Sequence, residues 1–144
     1  MFTVQHILQD KSPGLYVVSP ETAIFDALEV MAEKNIGAVM VVESGHVMGV
    51  FSERDYARKI LLKGRRSSDL TVSHVMSRDV IAVTLSTSVE ACMKLMTDKR
   101  IRHLPVIDNN ALIGVVSIGD VVKWIISEQK STISHLEDYI TGRR

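Results

Sequence analysis

Displacing the chain against itself by 65 positions lays the second half on the first without a gap. Val18 then meets Val83, Met31 meets Met96, Gly49 meets Gly114, Ser52 meets Ser117 and Asp55 meets Asp120. Upstream, Thr3-Val4-Gln5-His6-Ile7-Leu8 resembles Thr71-Val72-Ser73-His74-Val75-Met76 at an offset of 68, so the first half carries about three extra residues around Asp10 to Gly14. Matches in this order mark a duplication. Whatever one half folds into, the other must approximate.

Each half reads as strand, helix, strand, strand, helix, which makes the fold an α/β arrangement of two pseudo-symmetric repeats packed as one module. In the first half Leu15 to Val18 is a short strand, and Ser19-Pro20-Glu21 reads as a helix start with proline in the first turn. Ile24, Ala27, Leu28, Met31 and Ala32 recur on one helix face, and Asn35 and Gly37 end it. Ala38 to Val42 is an apolar run expected of a strand covered on both faces. Glu43-Ser44-Gly45-His46 is a turn, Val47 to Phe51 the returning strand, and Ser52-Glu53-Arg54-Asp55 opens a helix to about Lys63. The second half repeats this, with Val89, Cys92, Met93 and Met96 on the helix face and Asp108-Asn109-Asn110 as the turn. Residues 1–66 and 67–127 are the expected repeats, and 128–144 a helical extension. Its apolar residues, including Ile133, Leu136 and Ile140, suit either a tail folded over its own core or a subunit interface.

Acidic and basic side chains balance at 17 each, so general electrostatic affinity for nucleic acid or an anionic membrane is not expected. The single cysteine, Cys92, excludes an internal disulfide, and its apolar helical setting favours a buried thiol over a reactive one. Residues 1–14 lack the apolar run of a signal peptide, and runs such as Ala38 to Val42 are too short to span a bilayer, so a cytoplasmic location is expected. His6 and His74 occupy equivalent positions, which favours a shared structural role over metal binding. No His/Asp/Glu spacing suggests a metal site, and no nucleophile–base pair suggests an enzyme. The run Arg58, Lys59, Lys63, Arg65, Arg66 reads as a solvated helix end, with a phosphate or protein contact as the alternative. Trp124 reads as core or interface.

The repeated motif is Gly49-Val50-Phe51-Ser52-Glu53-Arg54-Asp55 and Gly114-Val115-Val116-Ser117-Ile118-Gly119-Asp120. Ser-x-x-Asp suits a capping box, in which serine and acid satisfy free N–H groups at the helix start. The same spacing also suits a ligand. A helix N-terminus seats phosphate, the serine donates to it, the aspartate accepts from a ribose diol, and the glycine admits a close approach to the strand. Both readings stand on spacing alone.

Three features together resemble CBS domains over nearly the whole chain. They are Ala27-Leu28-x-x-Met31, Arg100-Ile101-Arg102-His103-Leu104-Pro105-Val106 and the paired Gly-x-x-Ser-x-x-Asp motifs. The wording Phe51-Ser52-Glu53-Arg54-Asp55-Tyr56 and Ser117-Ile118-Gly119-Asp120 is similar to stand-alone bacterial CBS-pair proteins. The resemblance implies two clefts between the repeats that hold AMP, ADP, ATP, NAD(H) or S-adenosylmethionine. It implies that Asp55 and Asp120 take riboses and that Ser52 and Ser117 lie near ribose or phosphate. Arg54 would reach a phosphate where its counterpart Gly119 cannot. Gly37-Ala38-Val39 and Arg102-His103-Leu104 would form the strand entries that read adenine, with Pro105 at a cleft edge where the first half has Met40. An imidazolium at His103 would strengthen phosphate binding as pH falls through about 6.5. The expected function is a regulatory, non-enzymatic module that senses adenine nucleotide, forms a homodimer and signals to an unidentified protein. The alternative is an interaction scaffold with vestigial clefts.

Overall fold

The computed structural model describes residues 1–11 and 14–142. Ser12 and Pro13, within the expected excess around 10–14, and Arg143 and Arg144, at the end of the expected extension, lie outside the described residues. The elements run α1 (Val4–Asp10), β1 (Val17–Val18), α2 (Ile24–Lys34), β2 (Ala38–Glu43), β3 (His46–Ser52) and α3 (Glu53–Tyr56), which continues as a π-helical stretch over Ala57–Leu61. Two short 3-10 turns, Ser67–Asp69 and Val72–His74, precede α4 (Val89–Lys99), β4 (His103–Asp108), β5 (Ala111–Ser117) and α5 (Ile118–Thr141).

The repeat is visible in the backbone. The β2–β3 turn is made by Ser44 and Gly45 and the β4–β5 turn by Asn109 and Asn110, all at positive φ, as tight hairpins require. Helices α2 and α4 both end on a left-handed residue, Asn35 and Arg100. In one sheet β1 lies parallel to β2 and β2 antiparallel to β3, with Val39 opposite Phe51. In the other, β4 neighbours β5.

Two sequence expectations change. Helix α2 starts at Ile24, not at Ser19-Pro20-Glu21. The Ser19 N–H donates to Thr22 Oγ1 and the Thr22 N–H to Ser19 O, which closes a turn instead of a helix. The second repeat's first strand shrinks to a single parallel bridge between Val83 and Val106.

Each compact unit draws on both sequence halves. Residues 1–11, 82–108 and 114–142 form one unit, and 14–81 with 109–113 form the other. In the first, Val4 and Ile7 of α1 are fully buried along with Val89, Cys92, Leu104, Val116 and Val121. In the second, their counterparts Val72 and Val75 join Ile24, Met31, Val39, Phe51 and Ile60 in the core. The hydrogen bonds match residue for residue. The N–H groups of Val4, Gln5 and Val89 donate to Thr87, Leu85 and Phe2, and those of Val72, Ser73 and Ile24 donate to Thr22, Pro20 and Leu70. The segment that leads into each repeat therefore packs in the unit built around the other repeat.

Cys92 is fully buried, and burial pushes its thiol up to about 11, the inert state expected of a core cysteine. His6 Nδ1 accepts from the Thr3 N–H at 3.0 Å and His74 Nδ1 from the Thr71 N–H at 2.9 Å. The paired histidines thus share a capping role. Trp124 packs edge-on against Phe2, ring centres 4.6 Å apart, on the core side of α5.

Candidate functional site

Both Ser-x-x-Asp motifs form complete capping boxes. In the unit holding β3, the Ser52 N–H donates to Asp55 Oδ2 at 3.0 Å and the Asp55 N–H to Ser52 Oγ at 3.1 Å. At the start of α5, the Ser117 N–H donates to Asp120 Oδ2 at 2.9 Å and the Asp120 N–H to Ser117 Oγ at 3.2 Å. The strand entries are tied to the same helix starts. Gly37 O accepts from the Glu53 N–H at 3.0 Å, and Arg102 O accepts from the Ile118 N–H at 2.9 Å. Strand entry, serine and aspartate of each repeat thus lie together.

Each aspartate also holds a lysine that sequence reasoning did not place in the site. Lys11 Nζ lies 2.9 Å from Asp120 Oδ2 and donates to Val115 O at 2.9 Å. Lys59 Nζ lies 3.2 Å from Asp55 Oδ1 and donates to Val75 O at 2.8 Å. Lys59 stands four residues after Asp55, an ordinary helical ion-pair spacing that was legible but was read as part of a solvated basic run. Lys11 comes from the extra residues near the N-terminus and has no counterpart at an offset of 65 or 68, so no periodicity pointed to it.

The two carboxylates differ in what remains open. Asp55 uses Oδ2 for Ser52 and Oδ1 for Lys59. Asp120 receives both the Ser117 N–H and Lys11 on Oδ2, and Oδ1 has no donor among the described residues. Lys11 and half-buried His103 stand near Asp120, with exposed Arg102 beside His103; Lys59 stands at Asp55, which exposed Arg54 precedes in the chain, and Glu53 lies near Gly37. Asp120 also opens the 24-residue helix α5, whose N-terminal dipole favours an anion. Ala38 is buried opposite Ser52 in the β2–β3 ladder. Pro105 is buried in β4, where its carbonyl accepts from the Val83 N–H at 2.9 Å, and Met40 is fully buried in β2.

The motif glycines serve the chain itself. A Cβ on Gly49 would lie 2.7 Å from Ser77 O, and one on Gly114 would lie 2.8 Å from Leu8 Cδ2. The close approach that glycine permits is taken by the leading segments, Met76-Ser77 and α1, not left for a ligand.

Burial pushes the His103 imidazole below the ordinary histidine range; Lys11 pushes the same way, Asp120 opposes, and Arg102 adds to the lowering. The imidazolium expected to aid phosphate binding near pH 6.5 therefore forms only at lower pH. The unfolded chain takes up a proton near 6.5, whereas the folded chain resists it until a lower pH. The contribution of His103 to stability is then complete above about 6.5 and falls as pH drops toward its folded value. Urea unfolding of the wild type between about pH 7.5 and 5 should show that decline, and His103→Gln should flatten part of it. Equal slopes in both proteins would remove His103 as a contributor.

The CBS domain profile matches residues 5–62 and 72–127, and the chain belongs to the CBS domain family. It is similar to the mitochondrial CBS domain-containing protein CBSX3 of Arabidopsis thaliana, 38% identical over 150 residues that cover 97% of this chain and 72% of that one. A CBS-domain protein of known structure from Burkholderia ambifaria is 45% identical with a TM-score of 0.83, covering 88% of this chain and 96% of that one. The CBS domain pair of protein MJ0100, solved with 5-methylthioadenosine and S-adenosyl-L-methionine, shares the fold at 22% identity and a TM-score of 0.77, covering 89% of this chain and 98% of that one. Among the described residues no helix is long and apolar enough to cross a membrane.

Proposed function

We propose that the chain is a regulatory module, not an enzyme, that binds an adenine nucleotide reversibly and passes its presence to a protein partner. Residues 1–66 and 67–127 serve as the two sensing repeats. CBS domains bind adenosine-containing ligands in general, and the MJ0100 pair was solved with two of them. The observation that carries the reading here is Asp120, a carboxylate fixed at a helix start with Oδ1 open to a ribose diol and cations beside it. Ser117 lies next to it on the same helix start, and Arg102 and His103 line the strand entry. AMP, ATP and NAD(H) are the ligands proposed, with the more highly phosphorylated ones favoured at Asp120 because Lys11 and Arg102 add positive charge, which His103 joins only at low pH. The site built from Gly37, Ala38, Ser52, Arg54 and Asp55 is the weaker of the two, since both oxygens of Asp55 are already engaged.

That engagement also favours a second reading, in which the chain is an interaction scaffold and its sites are vestigial. A thermal-shift panel separates the two. Ligand that binds only the folded chain stabilises it by mass action, by about 2.7 kcal/mol at a hundred-fold excess over the dissociation constant, and so raises the melting temperature. AMP, ATP and NADH are expected to stabilise, and GMP and CMP to do so far less. Silence across the adenine set favours the scaffold; equal shifts from guanine and cytosine nucleotides overturn the adenine assignment.

A further inference from the structure

Helix α5 carries two apolar stripes with different fates. The first, Val121, Trp124 and Ile125, faces the body of its own unit, and Val121 is fully buried. One helical period on, this face turns polar at Glu128, Thr132 and His135. The second stripe lies about a quarter-turn round and runs further, interrupted by Gln129. Val122, Ile126, Ile133, Leu136 and Ile140 continue it to the end of the helix, and Ile133, Leu136 and Ile140 are 55%, 57% and 80% exposed. From Gln129 onward nearly every residue of α5 is exposed, on all sides. A stretch of about a dozen residues is at the margin of helical stability in water unless an apolar face is covered. The tail is not folded over its own core.

The second stripe repeats at 3.5 residues. Ile126, Ile133 and Ile140 take one heptad position, and Val122, Gln129 and Leu136 the other. A seam of this kind fits a second helix of the same kind, and the flanking charges choose the direction. On one side of the stripe stand Lys130 and Glu137, one heptad apart; the other side offers Ile125, Thr132 and Tyr139, with no charge. In a parallel pair neither Lys130 nor Glu137 meets an opposite charge. In an antiparallel pair that sets Ile133 against Leu136 of the second copy, Lys130 faces Glu137 of that copy, and the reverse pair forms by symmetry.

We infer that the C-terminal half of α5 is a self-association surface, and that two copies of this chain pair through it as an antiparallel coiled coil. The pairing deepens the homodimer expectation by naming the element, register and direction. The surface shares no residue with the proposed nucleotide site, so either proposal can fail while the other stands.

The test uses the full chain in sedimentation equilibrium at low salt, with circular dichroism to show that each variant is folded. Wild type is expected to dimerise reversibly, and Ile133→Asp to weaken the dimer on the order of a hundred-fold, because an apolar contact is lost twice and a charge enters the seam. Lys130→Glu and Glu137→Lys should each weaken it roughly ten-fold, and the double variant should regain wild-type affinity. A monomeric wild type, or a dimer indifferent to Ile133→Asp, overturns the surface. A double variant no tighter than the single ones overturns the antiparallel direction. The nucleotide thermal shift, repeated on Ile133→Asp, reports on the ligand site alone, so a lost dimer with a retained shift leaves the nucleotide reading standing.

Discussion

Asp120→Ala is expected to weaken nucleotide binding at the proposed site about ten- to a hundred-fold, since a charge-assisted hydrogen bond to ribose would contribute about 1.5–3 kcal/mol. The same substitution removes half of the α5 capping box and strands Lys11, so the fold should also lose about 0.5–2 kcal/mol. Ser117→Ala separates the two effects, because it disturbs the cap while Asp120 stays. If the carboxylate only caps the helix, both variants lower stability and neither changes the dissociation constant measured by calorimetry. If it also binds ribose, Asp120→Ala loses far more affinity than Ser117→Ala. Asp55→Ala should cost similar stability and less affinity, because Oδ1 and Oδ2 of Asp55 are already committed to Lys59 and Ser52.

The largest loss of stability is expected at Phe51. It is fully buried in β3 opposite Val39, whereas the equivalent pair in the other repeat is Val116 and Leu104, also fully buried. One repeat pairs large with small and the other reverses the emphasis, which fits close packing at similar total volume. Phe51→Ala should therefore cost about 3–5 kcal/mol, and Val116→Ala roughly 2 kcal/mol or less. Urea unfolding of the two variants checks this. Equal losses at the two positions would show that the cores are not packed as differently as their side chains suggest. A loss at the upper end takes a large share of the roughly 5–15 kcal/mol that a domain possesses, so Phe51→Ala is best read at low temperature.

Much of this architecture was legible because duplication lets each half check the other. The hairpins, the end of α2 at Asn35 and both Ser-x-x-Asp helix starts follow from side-chain period and turn chemistry, which are local. The start of α2 was misread because Ser19-Pro20-Glu21 satisfies helix-start preferences, while the Ser19–Thr22 bonds that prevail are equally local and Pro20 O is claimed by Ser73 from far along the chain. Lys11 escaped for a related reason. It reaches Asp120 across more than a hundred positions from a stretch that breaks the repeat, and no pattern along the chain encodes that meeting. The motif glycines misled differently. Spacing shows that a backbone must be approached closely, but not by what, and here the visitors are Leu8 and Met76.

The exchange of leading segments has a consequence for the chain's divisibility. Residues 1–66 made alone would carry Val4 and Ile7 with no repeat-two core to receive them, and would lack Val72 and Val75 to complete their own. A fragment of that kind could restore both burials by trading leading segments with another molecule of itself. The connection between Leu61 and Val72 turns that intermolecular trade into an intramolecular one, so its effect is one of local concentration: the missing piece is always present, at a level set by the tether and not by the amount of protein in solution. Proteolytic nicking at Gly64 would leave all the contacts intact at first, yet would make the survival of the fold depend on dilution for the first time.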